Sequence, residues 1–258
     1  MHPVAIQIGP LVIRWYGVMY GIGILIGGWL LGKEFHRKGI PLSDDERWNF
    51  LTLVFLSGIF CARFYYVLFN WDFYSTHPAE IPAIWHGGLA IHGGLIGGIL
   101  GGWWYVRRHR LSFLALADAG APSLILAQGL GRIGNFMNGE IHGYPTTMPW
   151  GIVFPPNSPA GQQFGQVPLH PAMLYEMMIN FMIFAFLWSI RKRPAQSGFI
   201  FCLYLILYSV DRSIVSSFRA EDLMVGPFRA PHVVSVIIII ISGSYLIRKR
   251  LWSDKAVS

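Results

Sequence analysis

The chain has 258 residues, 53% of them hydrophobic and only 13% charged, with a formal charge of +7 and a mean hydropathy of +0.46. About a quarter of an ordinary soluble domain is charged, so this composition excludes a conventional water-soluble fold and suits one compact membrane domain, residues 1–258, whose spans use roughly 20 residues each. The positive charge falls in short clusters between apolar runs, which argues against a nucleic-acid partner, and Cys61 and Cys202 both lie in apolar runs and imply neither a disulfide framework nor a metal cluster.

The first candidate span covers residues 11–31, after ten residues without Lys or Arg. Its apolar core is too long, and its start too poor in basic residues, for a cleaved secretory signal. The second span covers 48–69 and the third 88–106. The fourth, 111–136, contains Gly120 and Pro122, which predict a kink or a partly unwound segment. A Pro- and Gly-rich connection from Met137 to His170 follows, and the remaining spans are 171–190, 198–215 and 232–247. The predicted fold is an all-α integral membrane protein of seven transmembrane helices, capped on its outer face by the 137–170 connection.

Orientation follows from the basic residues. Fourteen of the twenty, namely Lys33, Arg37, Lys38, Arg47, Arg107, Arg108, Arg110, Arg191, Lys192, Arg193, Arg248, Lys249, Arg250 and Lys255, cluster after spans one, three, five and seven. With seven spans these clusters share one side, which places the C-terminus in the cytoplasm and the N-terminus outside. The other six are all arginines: Arg14, Arg63, Arg132, Arg212, Arg219 and Arg229. A guanidinium grips carboxylate or phosphate with two hydrogen bonds, which an ammonium does not. At 1.5 Å per residue, Arg132 and Arg212 lie about 30 and 21 Å above the cytoplasmic ends of their spans, and His92 about 6 to 8 Å below the outer end of its own. Polar groups thus converge near the outer interface. Arg14, Arg63 and Arg229 also fit a plainer reading, in which each snorkels to headgroups or pairs with a nearby acid. Arg132 and Arg212, costly at about 2.5 to 3.5 kcal/mol each by insertion scales, call for a common anion.

Four stretches carry the chemistry. Residues 86–102, H-G-G-L-A-I-H-G-G-L-I-G-G-I-L-G-G, hold eight glycines with small-x-x-x-small spacing, suited to close helix approach in a bilayer. His86 and His92 are six apart and point to different helical faces, so they do not share a metal. Residues 129–143, G-L-G-R-I-G-N-F-M-N-G-E-I-H-G, put Arg132 and Asn135 on one face, with Glu140 able to orient an arginine or accept from a ligand hydroxyl. Residues 170–176, H-P-A-M-L-Y-E, bring His170, Tyr175 and Glu176 to the mouth of span five. Tyr208, Arg212, Ser216 and Arg219 line one side of span six. Each has a plainer alternative: Tyr16, Tyr175 and Tyr208 as interfacial aromatics, His170 as the residue before a helix-starting proline, and His92 as a helix–helix hydrogen bonder.

R-W-Y-G at 14–17, H-G-G-L-A-I-H-G-G-L-I-G at 86–97, G-R-I-G-N-F-M-N-G-E at 131–140 and H-P-A-M-L-Y-E at 170–176 closely resemble, in the same order, the bacterial phosphatidylglycerol:prolipoprotein diacylglyceryl transferase family. The resemblance implies a polytopic inner-membrane enzyme that moves diacylglycerol from phosphatidylglycerol to the lipobox cysteine of a prolipoprotein, forming a thioether and releasing glycerol 1-phosphate. It implies phosphatidylglycerol recognition at Arg132, with Asn135, Glu140 and Gly143 around it. It implies essential roles for His92, Arg212, Tyr16 and Tyr208. Where the family reads R-x-x-x-E-x-x-R on span six, this chain has Ser216 in place of the acid, and Asp211, beside Arg212 but on another face, is the candidate for the compensating charge. His232 aligns loosely with a family glutamine.

The implied chemistry needs a thiolate, made from a thiol of pKa about 8.5, to attack the glycerol C3 carbon. His92 is the candidate base or the group that orients it, and Arg132 and Arg212 the stabilisers of the leaving phosphate. The reaction calls for neither cofactor nor metal, and its partners are phosphatidylglycerol, the lipobox segment and membrane lipids. His170, Tyr175 and Arg219 complete the candidate substrate-binding set. A carrier for an anionic lipid or organic anion is the alternative, but the two halves show no repeat and the polar groups gather on one side.

Overall fold

The computed structural model describes residues 3–9 and 11–253, and Lys255 of the last basic cluster lies outside them. The chain is mostly helical. It divides into two compact units, one of residues 1–34 and 117–258 and the other of residues 35–116.

In the larger unit, β1 (Val4–Ile8) and β2 (Leu11–Arg14) form an antiparallel hairpin in the register Ile6↔Ile13 and Ile8↔Leu11. Residues 11–14, expected at the start of the first span, are therefore strand, and α1 begins at Trp15 and runs to Lys38. The β-branched runs either side of Gly9, in the left-handed region at φ +58°, favour the hairpin.

The fourth expected span is α5 (Phe113–Asn138), continuous through Pro122, so the anticipated unwound segment does not form. Small residues hold it in place: a Cβ built on Gly23 of α1 would lie 3.3 Å from that of Ala127, and one on Gly27 3.6 Å from that of Ser123. Against α5 pack α7 (Ala172–Ile190) and α8 (Phe199–Ser216), through a core of Ala121, Ile125, Ile183, Leu187, Ile200 and Tyr204. Asp118 caps α8, accepting from the Gly198 and Phe201 amides at 2.9 and 2.8 Å, where the free N–H groups of a helix start favour an anion. After α8 the chain forms a second hairpin, β3 (Met224–Val225) with β4 (Phe228–Arg229), and then α9 (Ala230–Lys249).

The 137–170 connection, the expected cap, is folded around its own core of Phe154, Ala160 and Leu169 against Met173. It contains the short helix α6 (Pro159–Phe164) and is tied by bridges that pair Leu169 with Pro145 and with Ile152.

In the smaller unit, α2 (Asp44–Phe69) opens with a capping box, Ser43 accepting from the Glu46 amide while Glu46 accepts from that of Ser43. It packs on α4 (Ile91–Arg108) through glycines one turn apart. A Cβ on Gly93 would fall 2.6 Å from that of Tyr65, one on Gly97 2.6 Å from that of Cys61, and one on Gly101 3.0 Å from that of Ser57. The small-x-x-x-small spacing thus produces direct backbone approach. Between the two helices lie α3 (Trp71–Thr76) and two 3-10 turns, Pro78–Glu80 and Ile84–His86. Arg63 ties this segment down. It donates to the carbonyls of Ile81 at 2.8 Å, Gly87 at 2.7 Å, Gly88 at 3.0 Å and Glu80 at 2.5 Å, and lies over the Tyr74 ring. Neither headgroups nor an acid satisfies this arginine, but a ring of backbone acceptors.

Among the described residues six helices are long and apolar enough to cross a membrane: α1, α2, α5, α7, α8 and α9. Their outward faces expose Leu25, Phe60, Met182, Ile240 and Ile241, a pattern stable only in contact with lipid. The chain is a multi-pass membrane protein. The helix expected over 88–106 is present as α4, where six glycines and a terminal Arg107-Arg108 pair dilute the apolar character.

Candidate active site

The larger unit gathers ionised groups from α5, α7 and α8. Arg132 on α5 forms an ion pair with Glu176 on α7, whose side chain is fully buried, and donates to Asn135 Oδ1 at 3.1 Å. Asn135 passes the link on to Glu140 Oε2 at 3.1 Å, and Asn138 donates to the other oxygen of that carboxylate at 3.2 Å. The turn that returns Glu140 to the helix end starts at Gly139, φ +70°, where a Cβ would meet that of Ser158 at 2.7 Å. Ile141 follows at φ +61°, a conformation that costs a β-branched residue about 1–3 kcal/mol and is held here by the cap. Glu140 therefore orients two asparagines and not an arginine. Glu176 takes the arginine instead, and the clue in the sequence was an acid one turn into an otherwise apolar helix.

A second cluster closes the end of α8. Asp222, with its side chain 4% exposed, faces three arginines: Arg212 Nη2 at 3.2 Å, Arg219 Nε at 3.7 Å and Arg229 Nη1 at 3.5 Å. The Ser216 hydroxyl donates to the same carboxylate. Arg229 also donates to the carbonyls of Ser216 and Arg219 and to the Tyr144 hydroxyl, at 3.1 Å for the last. The acid serving these arginines is Asp222 and not Asp211. Asp211 is fully buried on another face of α8, and its carboxylate hydrogen-bonds to no described residue. Burial, and then the adjacent Arg212 charge, pushes the Arg219 guanidinium below the usual arginine range. Three cations share one carboxylate here, whereas Arg132 pairs one to one with Glu176.

The two clusters are in electrostatic contact, since Arg219 interacts with Arg132 and Glu176 as well as with Arg212. Tyr208 lies in the field of Arg132, Arg212 and Glu176, and Tyr16 in that of Arg132. Tyr16 packs on Gly134, where a Cβ would fall 2.8 Å from its ring, and its hydroxyl is 3.1 Å from that of Tyr20. Arg132 Nε, Arg212 Nη1 and Glu176 Oε2 are buried without a hydrogen bond to any described residue, so both arginines keep hydrogen-bonding capacity that their described neighbours leave unused.

The cap supplies the remaining candidates. Trp150 Nε1 donates to the Tyr175 hydroxyl at 2.7 Å, which lies 3.0 Å from His170 Nδ1. Indole only donates, so the tyrosine oxygen accepts there and its proton is free to go to the imidazole. Gly143 donates its amide to the His170 carbonyl at 2.8 Å and bridges to Arg219. A Cβ at 143 would sit 2.6 Å from the Phe218 oxygen and 2.6 Å from the His170 Cβ, so glycine is demanded by three converging backbone segments. Tyr16, Arg132, Asn135, Glu140, Gly143, His170, Tyr175, Tyr208, Arg212 and Arg219 thus all belong to the larger unit. His92 belongs to the smaller one, near the start of α4, with its exposed ring 6.1 Å from that of Tyr65. Among the described residues, no group of three or more His, Cys, Asp or Glu is placed to hold a metal ion.

Residues 3–248 match the family model described as prolipoprotein diacylglyceryl transferase. A phosphatidylglycerol–prolipoprotein diacylglyceryl transferase of Fusobacterium nucleatum is 41% identical over 282 aligned positions, covering 95% of this chain and 97% of the relative. Proteins of the same name from Bacillus cereus and Bacillus mycoides are each 42% identical, over 96% of this chain and 92% of theirs.

Proposed function

The chain belongs to the prolipoprotein diacylglyceryl transferase family, a family of transferases, and from that premise we propose that it moves the diacylglyceryl group of phosphatidylglycerol onto the lipobox cysteine of a prolipoprotein. The observation that carries this reading is the cluster of half-buried guanidinium groups at the end of α8 beside the Arg132–Asn135–Glu140 chain, a setting suited to one phosphate among hydroxyl-bearing neighbours.

In this reading the cysteine thiolate attacks C3 of the diacylglyceryl moiety, the C3–O bond breaks, and sn-glycerol 1-phosphate leaves. Arg132, steadied by Glu176 and Asn135, binds the headgroup phosphate; Glu140, fixed by its two asparagines, accepts from a headgroup hydroxyl. Arg212 meets the charge that grows on the leaving oxygen, in a site poor in water where fixed donors act strongly. Tyr16 and Tyr208 donate hydroxyls beside Arg132, Gly143 holds the cap closed, and His170, Tyr175 and Arg219 line the substrate side. His92 takes the thiol proton. The thiol comes from the substrate, so Cys61 and Cys202 have no chemical part.

The setting is a single domain of seven spans, α4 being the seventh, in the bacterial inner membrane. The basic residues following α1, α4, α7 and α9 face the cytoplasm, and the N-terminus and the capped site face the periplasm. Membrane lipids and the two substrates are its partners, and nucleic acid is not.

Purified protein in phosphatidylglycerol vesicles, given a lipobox peptide, should add a diacylglyceryl mass to the cysteine. Arg132→Ala and Arg212→Lys should insert normally and add none. Normal product from either variant would remove the assigned role, and lipid or ion flux without peptide product would favour a carrier.

A further inference from the structure

Asp222 sits where a carboxylate does no good to the helix it touches. Its oxygens meet the Ser216 hydroxyl in the last turn of α8, and the exposed carbonyls of a helix end repel an anion. Three guanidinium groups offset that repulsion, Arg212 at 3.2 Å, Arg219 at 3.7 Å and Arg229 at 3.5 Å. The same loop carries Arg229 back across α8, where it closes on the Ser216 and Arg219 carbonyls. Arg212 thus has one amino group on Asp222 and the other, Nη1, buried and without a described partner. A guanidinium held by one edge presents its other edge in a fixed direction.

We propose that Asp222 is a positioning residue of the transfer site, which clamps one edge of Arg212 so that the other meets the departing phosphate, with Ser216 as the hydroxyl that fixes the carboxylate. This rests on the role assigned to Arg212 above. It makes the acid a group that touches no substrate: the three arginines keep a surplus charge for the phosphate, yet the one they share prevents them from splaying apart. The 216 side chain already touches this carboxylate, so a glutamate there reaches the same space once Asp222 is shortened.

The test is an exchange in the full-length protein: Asp222→Ser, Ser216→Glu, and the two together, each assayed for kcat and KM with phosphatidylglycerol and a lipobox peptide, per folded molecule. Asp222→Ser should lower kcat about a hundredfold, the penalty of a reacting-group displacement near 1 Å, and the double exchange should return it to within about tenfold of the parent. Should Asp222→Ser not fold, Asp222→Asn, which keeps an acceptor for Ser216 and removes the charge, should show the same loss. A kcat per folded molecule that stays at the parental value in the single variant, or a double exchange no better than the single, overturns the proposal. A parent that makes no thioether overturns the transferase reading itself, and the positioning role with it.

Discussion

Removing the charge of Glu176 tests the way Arg132 is held. Glu176 is fully buried and Arg132 is 18% exposed, so Glu176→Gln leaves a guanidinium with no counter-charge of its own. Stranding one member of a buried pair costs about 3–5 kcal/mol. The amide oxygen of Gln still accepts from Arg132, and Asn135 remains at 3.1 Å, so we expect the lower figure of about 2–3 kcal/mol. At about 2–4 °C per kcal/mol for a chain of this size, thermal unfolding in neutral detergent should fall by about 4–12 °C. Phosphatidylglycerol supplies the missing anion. At a hundred times its dissociation constant a ligand stabilises by about 2.7 kcal/mol, and the variant, having lost the competing carboxylate, should be stabilised more than the parent. A zwitterionic lipid should restore neither. Parent-like melting of Glu176→Gln, or equal stabilisation of both proteins by phosphatidylglycerol, would refute the assignment of Arg132 to the phosphate.

Gly143→Ala puts a methyl 2.6 Å from the Phe218 oxygen and should cost about 1–3 kcal/mol in the same melting assay, with loss of turnover, whereas Gly131→Ala, with nothing within 4 Å, should leave stability within about 0.5 kcal/mol. Arg63→Lys keeps the charge but loses the fork that spans four carbonyls, so limited proteolysis should cut within residues 70–90 faster than in the parent. His92→Gln should slow lipidation by about 10²–10⁴-fold with binding of phosphatidylglycerol retained; an unchanged rate would leave His92 a structural residue.

The long helices were legible because twenty-residue apolar runs have few alternatives, and the glycine spacing on α4 signalled a close helix contact, though not that α2 is the partner. The hairpin at the start was not recognised, although β-branched runs either side of Gly9-Pro10 carry its signal; their apolar character merged them with the span that follows. At Pro122, where the sequence suggests a kink or a partly unwound segment, α5 runs on without unwinding. At the site, side chains on one helix were readable from spacing, as with Arg132 and Asn135 or Arg212 and Ser216. Partners set by a loop were not. Asp222 is ten residues from Arg212 and reaches it through the path of residues 217–223, and the carbonyl ring around Arg63 has no signature in residue types at all.

One molecule of phosphatidylglycerol should be split for each cysteine alkylated. Quantifying sn-glycerol 1-phosphate and thioether-linked peptide from the same reaction of purified protein tests it most directly. Equal amounts of the two should form, and neither when the peptide cysteine is serine. Glycerol phosphate released without peptide product, or a lipidated peptide whose linkage yields to hydroxylamine as a thioester does, would contradict it.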